Sequence, residues 1–316
     1  MKKNLKHFFI LSGLATGSIY GVNKIIETTS GIKKLLNENT GYFFEWKYGN
    51  IFYTKHGEGS PILLIHDLNP ISSSIEWMKI IKKLEKNHTI YTIDLLGCGR
   101  SDKPNLTYTN YMYVQLVTDF VKKIIEEKTD VIATGSSCSF TLMAANMDDT
   151  IFDKLFFISP PSLESLQLNP NKKSILIKKL FELPIFGTFF YNILMNENKI
   201  KCLFENKYYH KPSNISSTIV ESYYEAAHTK RSGGRFLFSS INSNYTNINI
   251  IPALKKVENP IFLIGSRETD KSIRIMDSYL KYDENIETAY LSNCKMLPQL
   301  EEPDKLYEII HMFYEP

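Results

Sequence analysis

Cysteine is sparse in this chain, and its four copies (Cys98, Cys138, Cys202 and Cys294) lie far apart, with no CxxC pair and no Cys/His cluster. That spacing excludes a disulfide framework and a structural zinc site. Excess charge is lacking too. The formal net charge is +3, and the basic residues are scattered, as in Lys82-Lys83 and Lys172-Lys173, so no nucleic-acid partner is expected. No nucleotide or metal signature is present, and no cofactor is expected. The only glycines reminiscent of a phosphate loop, Gly97 and Gly99, stand alone. What is there fits an ordinary folded domain: 43% hydrophobic and 22% charged residues. Its 316 residues suffice for one large domain with an insertion or two modest ones.

The N-terminus stands apart. Lys2, Lys3 and Lys6 precede an uncharged, mostly apolar run from Phe8 to Val22, which Asn23 and Lys24 end. The run is short of the roughly 20 residues a bilayer span needs. One reading is an uncleaved membrane anchor over residues 1–26 that borrows Ile25 and Ile26 by tilting, with Lys24 snorkelling. The other is a signal peptide cut near Ala15-Thr16-Gly17, giving a secreted protein. The glycines and Tyr20 make a poor cut site, so the anchor is preferred. A buried helix fits less well, because the run shows no amphipathic pattern. The lysines on its N-terminal side would leave the domain extracytoplasmic, although Lys24, Lys33 and Lys34 weaken that orientation. Residues 27–40, rich in Thr, Ser, Asn and Lys, read as a tether to a domain over 41–316.

From residue 41 strands alternate with helices. Tyr42–Trp46 and Ile51–His56 flank a hairpin signal at Tyr48-Gly49-Asn50. Pro61–His66, Thr89–Asp94, Val131–Thr134 and Lys154–Ser159 are apolar enough for strands buried on both faces. Helical spacing marks Ile75–Leu84, Tyr111–Glu127 and about Ser139–Met147. Pro260–Ile264 and Glu287–Leu291 are later strands, separated by a helix near Ile273–Lys281, and a last helix covers about Pro303–Phe313. This order implies an α/β fold with a mainly parallel, doubly wound sheet. The stretch from about 160 to 250 breaks the alternation. It is helical in character and rich in aromatics such as Phe186, Phe189, Tyr208 and Tyr223, and it reads as a cap inserted at the sheet edge. Those aromatics either line an apolar pocket or build the cap's own core.

Four segments, in order, resemble the α/β-hydrolase family over about residues 42–314. Ile65-His66-Asp67-Leu68-Asn69-Pro70 stands where the family has a His-Gly turn after its third strand. Asp94-Leu-Leu-Gly-Cys-Gly-Arg-Ser-Asp-Lys-Pro104 is similar to the loop after the fourth strand and is the most specific match. Gly135-Ser136-Ser137-Cys138-Ser139 resembles the nucleophile elbow, and Cys294–Pro303 the loop that carries the catalytic histidine. The resemblance points to the capped branch of esterases and epoxide hydrolases.

The resemblance implies roles. Ser137 takes the nucleophile position, and the backbone N–H groups of Cys138 and Leu68 would form the oxyanion hole. Asp67 replaces a glycine and puts a carboxylate where negative charge should develop. His66 reads as structural. The acid falls at Glu268, with Asp270 as fallback. Where the histidine belongs the chain has Met296, whose thioether cannot take a proton. Losing one triad member costs on the order of 10⁴ to 10⁶ in turnover. His210, His228 and Lys295 are the candidate replacement bases. Two functions follow: an α/β-hydrolase acting weakly or unconventionally on an ester or related acyl bond under a cap, or a catalytically silent binding or regulatory protein on the same scaffold. Either would take a small apolar or acyl ligand. Chemistry that needs no triad is a third possibility within the family.

Overall fold

The computed structural model describes residues 2–37 and 41–314. Its elements in chain order begin with helix α1 (Lys2–Thr29), the hairpin strands β1 (Tyr42–Trp46) and β2 (Gly49–His56), and strand β3 (Ser60–Ile65). Helix α2 (Met78–Leu84), strand β4 (His88–Ile93), helix α3 (Asn110–Phe120), strand β5 (Thr129–Thr134), helix α4 (Ser137–Met147) and strand β6 (Phe152–Ile158) follow. Seven helices then leave the sheet: α5 (Leu163–Leu166), α6 (Lys172–Glu182), α7 (Phe186–Leu194), α8 (Glu197–Leu203), α9 (Ser217–Ser232), α10 (Gly234–Ile241) and α11 (Ile251–Leu254). The chain returns as strand β7 (Ile261–Ser266), helix α12 (Asp270–Leu280), strand β8 (Glu287–Leu291), and helices α13 (Pro298–Glu301) and α14 (Pro303–Tyr314).

The strands form one sheet in the order β1-β2-β4-β3-β5-β6-β7-β8. β1 and β2 pair antiparallel with their neighbours, and every other pairing is parallel. The α/β class and the mainly parallel sheet are therefore as expected. The reason is visible in β3, where successive side chains enter opposite cores. Leu63 and Ile65 join Val131, Ala133, Val117 and Phe120 on one face. Ile62 and Leu64 join Ile132, Trp77, Ile80, Leu306 and Ile310 on the other. A strand covered by helices on both faces has no polar side to show, so its sequence reads as an apolar run.

Local differences have local causes. The expected helix over Tyr111–Glu127 is regular only to Phe120. A wider π turn over Val121–Ile125 follows, and Glu126 ends it in the left-handed region at φ +64°. The expected helix over Ile75–Leu84 starts as a 3₁₀ turn, Ser74–Trp77, before α2.

In the helical excursion between β6 and β7, Phe204, Tyr208, Tyr209 and Tyr223 pack in one buried cluster with Ile71, Leu297 and Leu300 from the segments that follow β3 and β8. Phe186 and Phe190 on α7 remain exposed.

At the N-terminus, α1 continues past residue 26 into the stretch expected as a tether. The backbone N–H groups of Leu35 and Leu36 then donate to the Glu225 carboxylate at 2.9 and 3.2 Å. Residues 38–40, the end of that stretch, lie outside the described residues. The expectation of a membrane-spanning anchor is not supported: among the described residues no helix is long and apolar enough to cross a membrane.

Candidate functional site

The site forms where β3, β5, β7 and β8 end, the edge at which parallel α/β sheets present their loops. β5 runs to Thr134, and the chain must reverse at once to start α4. The reversal falls on Gly135, whose φ of +55° is in the left-handed region, while Ser136 is already right-handed helical at φ −65°, ψ −20°. Only a residue without a Cβ takes that φ without strain. Space demands glycine as well: a Cβ on Gly135 would lie 2.3 Å from Asp67 Oδ1.

Asp67 does not turn away from the elbow. Ser136 N–H donates to its Oδ1 at 2.8 Å, so the carboxylate caps the free amide at the start of α4, where a negative group is stabilised by the helix end. Asp67 is itself held in place from below. Its N–H donates to Glu76 Oε1 at 3.2 Å, and the same carboxyl accepts from Thr134 Oγ1 at 2.7 Å and from the Tyr223 hydroxyl at 3.2 Å. Glu76 is fully buried. Desolvation, with the Asp67 charge adding to it, pushes its carboxyl up to about 8. His66 lies beside this network. Leu95 N–H donates to Nε2 at 3.0 Å, so Nδ1 carries the proton and is paired with the Asp67 carbonyl at 2.8 Å. It ties two loops together and is buried away from solvent.

The residues expected to be catalytic are only partly brought together. Ser137 is the first residue of α4 and fully buried; its Oγ donates to the His66 carbonyl at 2.5 Å. It does not line the cavity. Cys138 N–H is spent on the Gly135 carbonyl at 3.2 Å, so it is not a free oxyanion donor. Leu68 is buried and also absent from the cavity wall. Glu268 does reach the loop after β8: Asn293 N–H donates to its Oε1 at 2.7 Å. Its other oxygen stands 3.4 Å from His210 Nδ1. Asp270 is exposed in the first turn of α12 and is not part of the cavity wall, although its neighbours Thr269 and Lys271 are.

Met296 lines a cavity of about 390 Å³ together with Asp67, Gly135 and Ser136. Pro160, Pro161, Ile275 and Met276 add apolar wall, and hydroxyls come from Ser159, Ser162, Ser266 and Thr269. Lys207, Lys271 and Lys295 also border it. Lys295 Nζ donates to the Asn206 carbonyl at 3.2 Å. His210 and Glu268 are outside the wall. His228 is outside the wall as well: burial pushes its ring down to about 4, its Nδ1 is engaged by the Tyr224 carbonyl, and Nε2 has no partner. Among the described residues no group of His, Cys, Asp and Glu is arranged to hold a metal ion.

The arrangement that sequence reasoning missed is the triangle of Gly135, Ser136 and Asp67. The signal was the strand end: if β5 runs to Thr134, the sharp turn must fall on Gly135, two residues before Ser137.

Comparison with known proteins agrees with this architecture. The Alpha/beta hydrolase family matches residues 62–308. A haloalkane dehalogenase of Agrobacterium fabrum is 26% identical over 122 residues, 38% of this chain, and the match spans only 40% of the dehalogenase. A soluble epoxide hydrolase of Corynebacterium sp. is 23% identical over 274 residues, 84% of this chain and 93% of that protein. Among solved structures, a serine hydrolase involved in carbazole degradation, the CarC enzyme, superposes with a TM-score of 0.71 at 15% identity, covering 87% of this chain and 98% of that one. The sheet order, the strand-end site and the family match lead to one conclusion: the chain belongs to the alpha/beta hydrolase family.

Proposed function

We propose that this member of the family binds a small molecule in the cavity and is silent as a serine hydrolase. The observation that carries the reading is the Asp67 carboxylate on Ser136 N–H, 2.8 Å away, across a turn whose apex is Gly135. In an elbow the nucleophile sits on the strained apex, and the N–H of the next residue stabilises the oxyanion. Here the apex carries no side chain, and that N–H already holds an anion of the protein's own. Met296 stands at the same cavity with no basic nitrogen. Nucleophile, base and oxyanion donor are thus each replaced or occupied. We read the helices between β6 and β7 as a cap, since Ser162, Ser165, Asn206 and Lys207 contribute to the cavity wall. The wall suits a ligand with an apolar body and a polar or anionic end, in keeping with the small molecules on which the family acts.

A second reading keeps turnover and rests on one observation, the pairing of His210 with Glu268. A base beside an acid is half of a triad, and a shift of the Asn206–His210 segment would be needed to bring it to the cavity.

Incubation of the full chain with a fluorophosphonate probe decides between them. We expect no labelling of the wild type. Labelling that disappears in Ser137→Ala or His210→Ala would overturn the silent reading. The triple variant Asp67→Gly/Gly135→Ser/Met296→His is expected to gain labelling, because it empties the amide, fills the apex and supplies a base.

A further inference from the structure

Most of the large hydrophobic side chains that stand exposed among the described residues lie in two places, α1 and the segment from Leu168 to Leu194. Leu11 and Leu14 on α1 are each 65% exposed, and Leu176 on α6 is 69% exposed. The two places are adjacent and fastened to each other. Asn23 Nδ2 on α1 donates to the Ile185 carbonyl at 2.9 Å, and Asn192 Nδ2 on α7 donates to Asn23 Oδ1 at 3.0 Å. Asn23 and Asn192 are both buried, so this is a built joint and not a chance contact. Exposed apolar side chains gathered on two helical segments that are joined in this way suit an interaction face.

The charge on that face is mainly positive. The single acid of α1 is Glu27, paired with Lys24, and between 165 and 196 the single acid is Glu182, paired with Lys178. Lys172, Lys173 and Lys179 are exposed on α6 among its apolar residues. A second copy of the same face would bring lysines against lysines across a two-fold axis. A surface of anionic lipid would instead accept both components, with apolar side chains entering the acyl boundary and lysines lying at the headgroups.

We infer that α1 and the α6–α7 hairpin together seat this protein on the surface of an anionic membrane, without crossing it. The inference is independent of whether the cavity turns over a substrate, because none of the residues invoked lines it.

The test is co-sedimentation of the full chain with vesicles of phosphatidylcholine, alone or mixed with phosphatidylglycerol. Binding to the mixed vesicles is expected, weakening with salt. The triple variant Lys172→Glu/Lys173→Glu/Lys179→Glu should lower affinity by at least about a hundredfold, at roughly fivefold for each lysine lost and more for reversal. Leu176→Asp should also weaken binding, and an unchanged thermal melt would show that it folds, since the side chain is already exposed. Absence of binding to mixed vesicles, or binding that neither variant alters, would overturn the proposal. A wild-type dimer that Leu176→Asp dissociates, without vesicle binding, would also overturn it and assign the face to self-association.

Discussion

Two carboxylates at neighbouring strand ends set the scaffold of this protein against its chemistry. Asp94, after β4, is fully buried and fully answered. Arg100 Nε donates to Oδ2 at 2.7 Å, Arg100 N–H donates to the same oxygen at 2.8 Å, and Ser74 N–H donates to Oδ1 at 2.7 Å. Burial alone would raise this carboxyl, but the charge and hydrogen bonds of Arg100 outweigh it and hold the group well below the usual carboxylate range. Asp67, after β3, has no such cation. It leans on one helix-terminal amide and stands over Glu76, a second carboxyl in the same buried pocket. The corner after β4 is fully paired by a cation, whereas at the corner after β3 a carboxylate of the protein's own sits on the amide that opens α4. A scaffold therefore keeps its geometry by satisfying its own buried groups, while a reaction centre must leave some of its donors free for a substrate.

The comparison can be broken most forcefully at Arg100. Arg100→Ala leaves Asp94 charged and unpaired in the interior, and a loss of about 3–5 kcal/mol is expected in denaturant melts. A loss under about 1 kcal/mol would mean that the corner is not braced in this way.

Next comes Glu76. Its folded-state carboxyl titrates near 8 and its unfolded one near 4.5, so between these values the native state binds the extra proton. Stability should then fall as pH rises from about 4.5 to 8, by an amount on the order of a few kcal/mol. Glu76→Gln should flatten that slope, and thermal melts over this range check it.

Gly135→Ala is expected to destabilise by about 1–3 kcal/mol through the positive φ and the clash with Asp67. In an Asp67→Gly background the cost should shrink to the backbone part, about 1 kcal/mol. A double-mutant cycle with no coupling would separate the two residues. The smallest effect is expected at Ser137. Ser137→Ala removes one buried hydrogen bond to His66, a loss of about 1 kcal/mol, and leaves any ester hydrolysis unchanged.

Much of the fold was legible before the structure. The apolar runs at Pro61–His66 and Val131–Thr134 became strands because strands covered on both faces have no polar side. The site was legible only in outline. The loops of Met296 and Glu268 could be located because they keep their order along the chain, and in the structure Met296 lines the cavity while Glu268 accepts from Asn293 N–H. Ser137 fits the G-x-S-x-S elbow pattern, but a pattern carries no information on which residue takes the positive φ, and in the structure that residue is Gly135. His210 next to Glu268 was not visible either, since the two come from elements almost sixty residues apart in sequence.

By itself the sequence determined the alternation of strands and helices and the family, because each is written in local composition or in short ordered motifs. Only the tertiary structure decided that Gly135 makes the turn, that Asp67 occupies the amide of Ser136, and that α1 joins the α6–α7 hairpin in one apolar face. These depend on where a strand stops and on which distant side chains then share a space, and both are set by packing across the whole sheet.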